Sequence, residues 1–300
     1  MSRAARRYAL LPTERPNPAT RDIDRLPPLE IVRAINREDA RVAPAVAREA
    51  AKVAAAAEAI ARSLAAGGKL LFVGAGTSGR LAVLEAAECP PTFGTPPSLV
   101  RAVMAGGKSA VFKAKEGAED DARAGAAAVA HMKKGDVVAG IAASGVTPFV
   151  RGALAAASAR GCVTVLISSG DARGARARFS IAPKVGPEVL AGSTRLKSAS
   201  AAKLVLNQLT VTAMIRLGKV YDHWMVDLKL NSKKLRLRAA RIVVTLGRVP
   251  PARAERLLRA CGGSVKLAVA VARTGLSPEL AKRALALAGG NLRAVLEENA

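Results

Sequence analysis

Aromatic side chains are scarce in this sequence: one Trp, two Tyr and five Phe among 300 residues. Histidine occurs twice, at His131 and His223, and cysteine three times, at Cys89, Cys162 and Cys261. Each shortage excludes something. With so few aromatics the interior is expected to be built of small residues, chiefly alanine, in closely packed helices. Nucleic acid bases would find few stacking platforms. Two isolated histidines supply neither metal-ligand spacing nor a Ser/His/Asp arrangement. Three dispersed cysteines argue against a disulfide framework and for a reducing compartment. Cys89 has no histidine near it in sequence and reads as a buried structural thiol rather than a nucleophile. No apolar run reaches the ~18 residues of a membrane span. The basic start, Met1–Arg7, is followed by an apolar stretch that Pro12, Glu14 and Arg15 interrupt, which makes a poor signal peptide. A cytoplasmic protein without a membrane partner is expected. Acids are short as well: 23 Asp and Glu face 47 Lys and Arg, for a net charge of +24. Such a field attracts polyanions of any sequence. The basic residues are scattered, so they are read as solvated surface, and no specific nucleic acid partner is expected.

What is present has a clear order. Residues 1–27 are rich in proline and charge and read as an extended arm. Helical stretches follow near 28–40 and 42–66, the second alanine-rich and ending at Gly67-Gly68. Short apolar runs then appear at Leu70–Val73, Leu99–Met104, Val137–Ile141, Val163–Ile167 and, more weakly, Phe179–Ala182, with helical segments between them. That alternation predicts a doubly wound α/β fold on a parallel five-stranded sheet with flanking helices. A long helix is expected over 196–218, and everything after about 231 reads as helix. A break at Gly247 and Pro250-Pro251 sets off a small all-helical C-terminal domain. The expected division is 1–45 for an N-terminal arm and helix, 46–246 for the α/β domain and 247–300 for the helical domain.

Ligands of open parallel sheets bind beyond the carboxyl ends of the strands. The first strand runs there into Gly74-Ala75-Gly76-Thr77-Ser78-Gly79, where glycines admit an anion and Thr77 and Ser78 offer hydroxyls at a helix start. Gly74, Gly76 and Gly79 also spell a dinucleotide fingerprint. The acid expected after the second strand is missing, since that strand ends Met104-Ala105-Gly106-Gly107. The third strand opens a second loop, Ser144-Gly145-Val146-Thr147-Pro148, whose hydroxyls could hold a phosphate, cap the next helix or do both. Glu85 and Glu88 lie on the first helix of the fold, which Cys89-Pro90-Pro91 is expected to end. Glu116, Glu119, Asp120 and Asp121 gather at another helix start, where acids commonly just complement the dipole.

Five segments together resemble one family: GAGTSGRLAVLEAAECPPTFGTPP at 74–97, AGGKSAVFKAKEGAEDD at 105–121, AASGVTPFV at 142–150, VGPEVLAGSTRLK at 185–197 and LGKVYDHWMVDL at 217–228. The arm with Asp22-Ile23-Asp24 and the stretch Ile35–Asp39 fit as well. The chain is thereby identified as similar to the N-acetylmuramic acid 6-phosphate etherases of the sugar isomerase (SIS) superfamily, over about residues 13–298. AECPPTFG and EGAEDD are the specific motifs.

The resemblance implies a lyase that removes D-lactate from C3 of N-acetylmuramic acid 6-phosphate, without metal or organic cofactor, as a homodimer with sites near the interface. It implies Glu88 as the acid and Glu119, rather than Glu116, as the second catalytic glutamate. It implies Thr77, Ser78, Ser144, Gly145 and Thr147 for the phosphate, and Glu188, Ser193, Thr194 and Lys197 for completing the sugar site. The chemistry needs one carboxyl protonated and one ionised in the same pocket. The sequence departs from the family pattern in two places. Val146 stands where arginine is expected, and Ser198-Ala199-Ser200 replaces Ala-Gly-Thr. Two other readings stay open: a sugar-phosphate isomerase with Glu188 as base, and a non-catalytic sugar-phosphate sensor whose basic C-terminal helices, with Arg253, Arg256, Arg259, Lys282 and Arg283, meet a partner.

Overall fold

The computed structural model describes residues 11–170 and 176–298. The basic start at 1–7 and the first part of the arm lie outside the described residues. From Leu11 the arm is not simply extended. It winds through three short 3-10 turns, Pro12–Glu14, Pro18–Thr20 and Ile23–Arg25, two of them opened by proline. Helix α1 covers Pro28–Asp39. The single helix expected over 42–66 is two, α2 at Val42–Ala47 and α3 at Ala50–Ala65. The break falls where the Glu49 carboxylate turns to accept the Ala182 N–H at 3.1 Å.

All five expected strands are present: β1 Leu70–Gly74, β2 Val100–Met104, β3 Val137–Ile141, β4 Val163–Ile167 and β5 Phe179–Ile181. They pair in parallel in the order β2-β1-β3-β4-β5. Every residue of β1 and β3 is buried, which is why these strands read as unbroken apolar runs: helices cover both faces of a parallel sheet. Between them run α4 (Gly76–Phe93), α5 (Ala122–Ala128), α6 (Pro148–Ala159) and, after the sheet, α7 (Lys197–Arg216). Helix α4 does not stop at Cys89 as expected. It carries Pro90 and Pro91 inside it and ends at Phe93. Proline deprives the carbonyl four residues earlier of its donor but can keep helical φ, so the last turn persists with its ladder interrupted.

By internal contact the chain forms two compact units, one reaching Ala86 and resuming over Ser98–Thr210, the other made of Ala87–Pro97 and the chain from Val211. The first unit holds the sheet. In the second, a hairpin of β6 (Val220–Tyr221) and β7 (Trp224–Met225) precedes helices α8 (Lys233–Gly247), α9 (Pro251–Ala260), α10 (Val265–Thr274), α11 (Pro278–Leu287) and α12 (Leu292–Glu298). Val226 and Leu228 share one apolar core with Ile242, Val243, Ala268, Val269 and Val295. The break expected near 247–251 is the bend at Arg248–Pro250, whose Val249 is buried in that same core. The three cysteines are buried and form no disulfide with one another. No helix among the described residues is long and apolar enough to cross a membrane.

Candidate active site

Strand register places the functional loops. Gly74 pairs with Met104 on one side and with Ile141 on the other. The chains therefore leave β1, β2 and β3 at the same level, at the edge where the strand order reverses. After β1 the turn into α4 is very tight. A Cβ on Gly74 would come within 2.7 Å of the Gly79 nitrogen, and one on Gly79 within 2.6 Å of Met104 Cγ. This glycine pair seats the helix on the strand and lifts Thr77 and Ser78 at the helix N-terminus to the sheet edge. After β3, Gly145 adopts φ 75° and Thr147 stands at the N-cap of α6 without making a capping hydrogen bond. Ser144 Oγ accepts only a long bond from the Val146 N–H at 3.3 Å. The capping explanation therefore does not account for the Thr147 hydroxyl.

Glu119 arrives from a third direction. It sits in a 3-10 turn, Ala118–Asp120, bounded by Gly117 at φ 74° and by Asp121, whose carboxylate caps α5 by accepting from the Ala124 N–H at 2.8 Å. The preceding segment is pinned by Arg80, which donates to Val111 O at 2.7 Å and Ala110 O at 2.9 Å. Helix α5 then lies flush on α6. A Cβ on Gly125 would sit 1.9 Å from Phe149 O, and one on Gly152 2.1 Å from Ala122 O. Backbone contact of this kind fixes the Glu119 turn against the Thr147 end of α6.

The outcome is one cleft of about 290 Å³ lined by Thr77, Ser78, Glu119, Asp120, Ser144, Val146, Thr147 and Thr194, among others. Val146, which stands where arginine is expected, also lines the cleft, and so does Glu14 of the N-terminal arm, to which no motif assigns a role. A smaller cavity of about 10 Å³ adjoins Ser78 and is bordered by Ser168 and Ser198, whose hydroxyls are buried without a hydrogen-bond partner among the described residues. Ser198 is one of the departures from the family pattern.

Other expected residues lie elsewhere. Glu188 is fully buried and accepts the backbone N–H groups of Lys197 and Ser198, both at 2.9 Å, at the start of α7. Lys197 is equally buried and donates to Glu38 at 2.5 Å. Asn17 adds a bond to the same carboxylate at 2.9 Å, and Arg41 lies 3.4 Å from it. Burial would raise the Glu38 carboxyl, but the hydrogen bonds from Lys197 and Asn17 and the two positive charges outweigh it and hold the pKa below its ordinary value. Ser193 is half-buried and is not among the residues lining the cleft. Gly145 is buried beneath the second loop. Glu88 is exposed on the last part of α4, in the second unit, while Glu116 is exposed beside the Glu119 turn. Glu85 is buried on α4 and accepts from Lys203 at 2.8 Å and Thr210 at 2.6 Å.

Comparison with known proteins bears on this arrangement. Residues 52–158 match the model described as glucokinase regulatory protein N-terminal SIS domain. The chain is 47% identical over 293 residues to the N-acetylmuramic acid 6-phosphate etherase of Mesorhizobium japonicum, covering 96% of this chain and 95% of that one. It is 48% identical to the protein of the same name from Vibrio atlanticus, covering 96% of each. A solved phosphoheptose isomerase from Neisseria gonorrhoeae is 19% identical, with a TM-score of 0.47 across 63% of this chain and 98% of that one. With near-half identity along almost its whole length, the chain belongs to the N-acetylmuramic acid 6-phosphate etherase family.

Proposed function

We propose that this chain cleaves the D-lactyl ether of N-acetylmuramic acid 6-phosphate, giving N-acetylglucosamine 6-phosphate and D-lactate. The observation that carries the reading is the single cleft that gathers the hydroxyls of Ser78, Ser144 and Thr147 with the carboxylate of Glu119. The hydroxyls and the α4 N-terminus hold the phosphate. In the open-chain sugar the C1 aldehyde acidifies the C2 proton, and Glu119 removes it. Lactate leaves from C3 as an acid protonates its oxygen, a role that the family resemblance assigns to Glu88, which is not among the residues lining the cleft in this chain. Water then adds at C3 of the unsaturated aldehyde. Thr77, Gly145, Ser193 and Thr194 complete the surroundings of the bound sugar. Glu188 and Lys197 serve the site indirectly, by anchoring the start of α7 and the segment that carries Thr194. The working form is a homodimer, as the family resemblance implies.

The isomerase alternative loses support from the placement of its base, because both oxygens of Glu188 are engaged by backbone and none of the side chain is exposed. Incubation with N-acetylmuramic acid 6-phosphate should release lactate and N-acetylglucosamine 6-phosphate in equal amounts. The unphosphorylated sugar forfeits several charge-assisted hydrogen bonds of about 1.5–3 kcal/mol each, so its kcat/KM should fall by at least roughly 100-fold. Absence of lactate from the phosphorylated sugar would overturn the proposal.

A further inference from the structure

We infer that Glu14 is a specificity residue, whose carboxylate accepts a hydrogen bond from the sugar portion of the bound sugar phosphate and disfavours bare phosphate. The inference rests on the proposed reading of the cleft as a sugar-phosphate site. Glu14 lines that cleft together with Ser78, Ser144 and Thr147, although it comes from the N-terminal arm. Its position is built rather than incidental. The carbonyl of buried Thr13 accepts the Gly192 N–H at 3.0 Å. Further along the arm, Asn17 donates to Pro187 O at 3.2 Å, and Thr20 Oγ1 donates to Val189 O at 2.9 Å. The arm thus runs along the 187–192 segment. Glu14 Oε2 comes so close to Gly192 that a Cβ there would lie 3.0 Å away.

Lys and Arg outnumber Asp and Glu by 47 to 23, yet no Lys or Arg pairs with Glu14 among the described residues. Its one hydrogen bond there comes from Thr13 Oγ1 to Oε1 at 3.1 Å. An ionised carboxylate only accepts hydrogen bonds, so it cannot serve a phosphate, which it repels. A sugar offers what it needs, in hydroxyls and an acetamido N–H. The hydroxyls at a helix N-terminus, on a chain of net charge +24, attract small phosphates, and the carboxylates in the lining oppose them. Glu14, lining the cleft along with the carboxylates of Glu119 and Asp120, adds negative charge that favours ligands bringing neutral donors along with the phosphate. That is specificity by disfavouring the wrong ligand as well as by contacting the right one.

Calorimetric titration of the full chain with N-acetylglucosamine 6-phosphate and, separately, with inorganic phosphate tests this. Glu14→Gln and Glu14→Ala should each bind the sugar phosphate about 10-fold or more weakly, the loss expected for a charge-assisted hydrogen bond. Both should bind inorganic phosphate as well as the unmodified chain or better. A residue that merely fastens the arm would weaken both ligands together, and that result would overturn the inference, as would unchanged affinity for the sugar phosphate. Glu14→Gln keeps the shape of the side chain and guards against misfolding in the alanine variant. If the unmodified chain binds neither ligand, the cleft assignment fails and this inference with it. If it binds both and releases lactate while the variants behave like it, Glu14 alone is excluded.

Discussion

Glu119 and Glu88 differ in setting as well as in assigned role. Both are exposed, but the first is held in a tight turn at the cleft by Gly117 and the Asp121 cap, and the second lies on the last part of α4, outside the cleft lining. Their separate roles give separate expectations. Each should contribute about 10²–10⁴-fold in rate, so both Glu88→Gln and Glu119→Gln should release almost no lactate. In deuterated water the Glu88→Gln enzyme should still exchange the C2 proton of the substrate, and the Glu119→Gln enzyme should not. NMR of the recovered sugar reads the difference, and the opposite pattern would exchange the two roles. Exposed Glu116 makes a fair control. Glu85 does not, because its buried pairing with Lys203 and Thr210 makes it structural. At this scale the hydroxyl-bearing loops were legible, since glycine and Ser or Thr at a helix opening signal their geometry locally. Glu14 carried no such signal. Its neighbour in the fold, Gly192, lies far along the chain, and nothing in Pro12-Thr13-Glu14 points to it.

At the scale of elements, the strands stood out because burial on both faces leaves unbroken apolar runs. The hairpin Val220–Met225 did not, since its strands have two residues each, too few to show a period. The contact of α5 with α6 also escaped notice, for a glycine within a helix looks only like a weak helix former. In the fold Gly125 and Gly152 are the contact itself. Gly125→Ala should force the helices apart, costing about 1–3 kcal/mol of stability, and should carry Glu119 away from Thr147. Thermal melting and kcat/KM for lactate release should therefore fall together. An alanine variant that loses stability but keeps full activity would show that this packing does not position Glu119.

Across the whole molecule, the charge surplus and the buried ion pair pull in different directions. Arg253, Arg256, Arg259, Lys282 and Arg283 are all exposed. The Glu38–Lys197 pair, by contrast, joins α1 to the start of α7 at 2% and 0% exposure. Removing either partner leaves a buried charge and should cost about 3–5 kcal/mol, whereas replacing both with apolar residues should recover much of it. The depressed pKa of Glu38 contributes to the pH dependence of stability. Its contribution is fully present above the unfolded carboxyl value of about 4.3 and is lost as pH falls through the lower folded value. Melts taken below about pH 4 should show an acid-dependent loss of Tm in the unmodified chain that is smaller in Glu38→Gln. Equal slopes in the two proteins would remove Glu38 from the acid response.

The sequence by itself determined the parallel sheet, the two hydroxyl-bearing loops and the glutamate motifs, because each is written in neighbouring residues: apolar runs, helix-opening turns, short specific strings. Only the tertiary structure decided which of these meet. Strand register brought the loops after β1 and β3 to one level. Backbone contact at Gly125 and Gly152 fixed the Glu119 turn, and the arm carried Glu14 into the cleft. Lys197 and Glu188 read as site residues by motif, yet the fold buries them and occupies their polar atoms with Glu38 and with the first N–H groups of α7. A motif specifies a side chain and its local backbone. Whether that side chain faces a cleft or a buried partner depends on contacts between residues remote in sequence, and those arise only when the chain has folded.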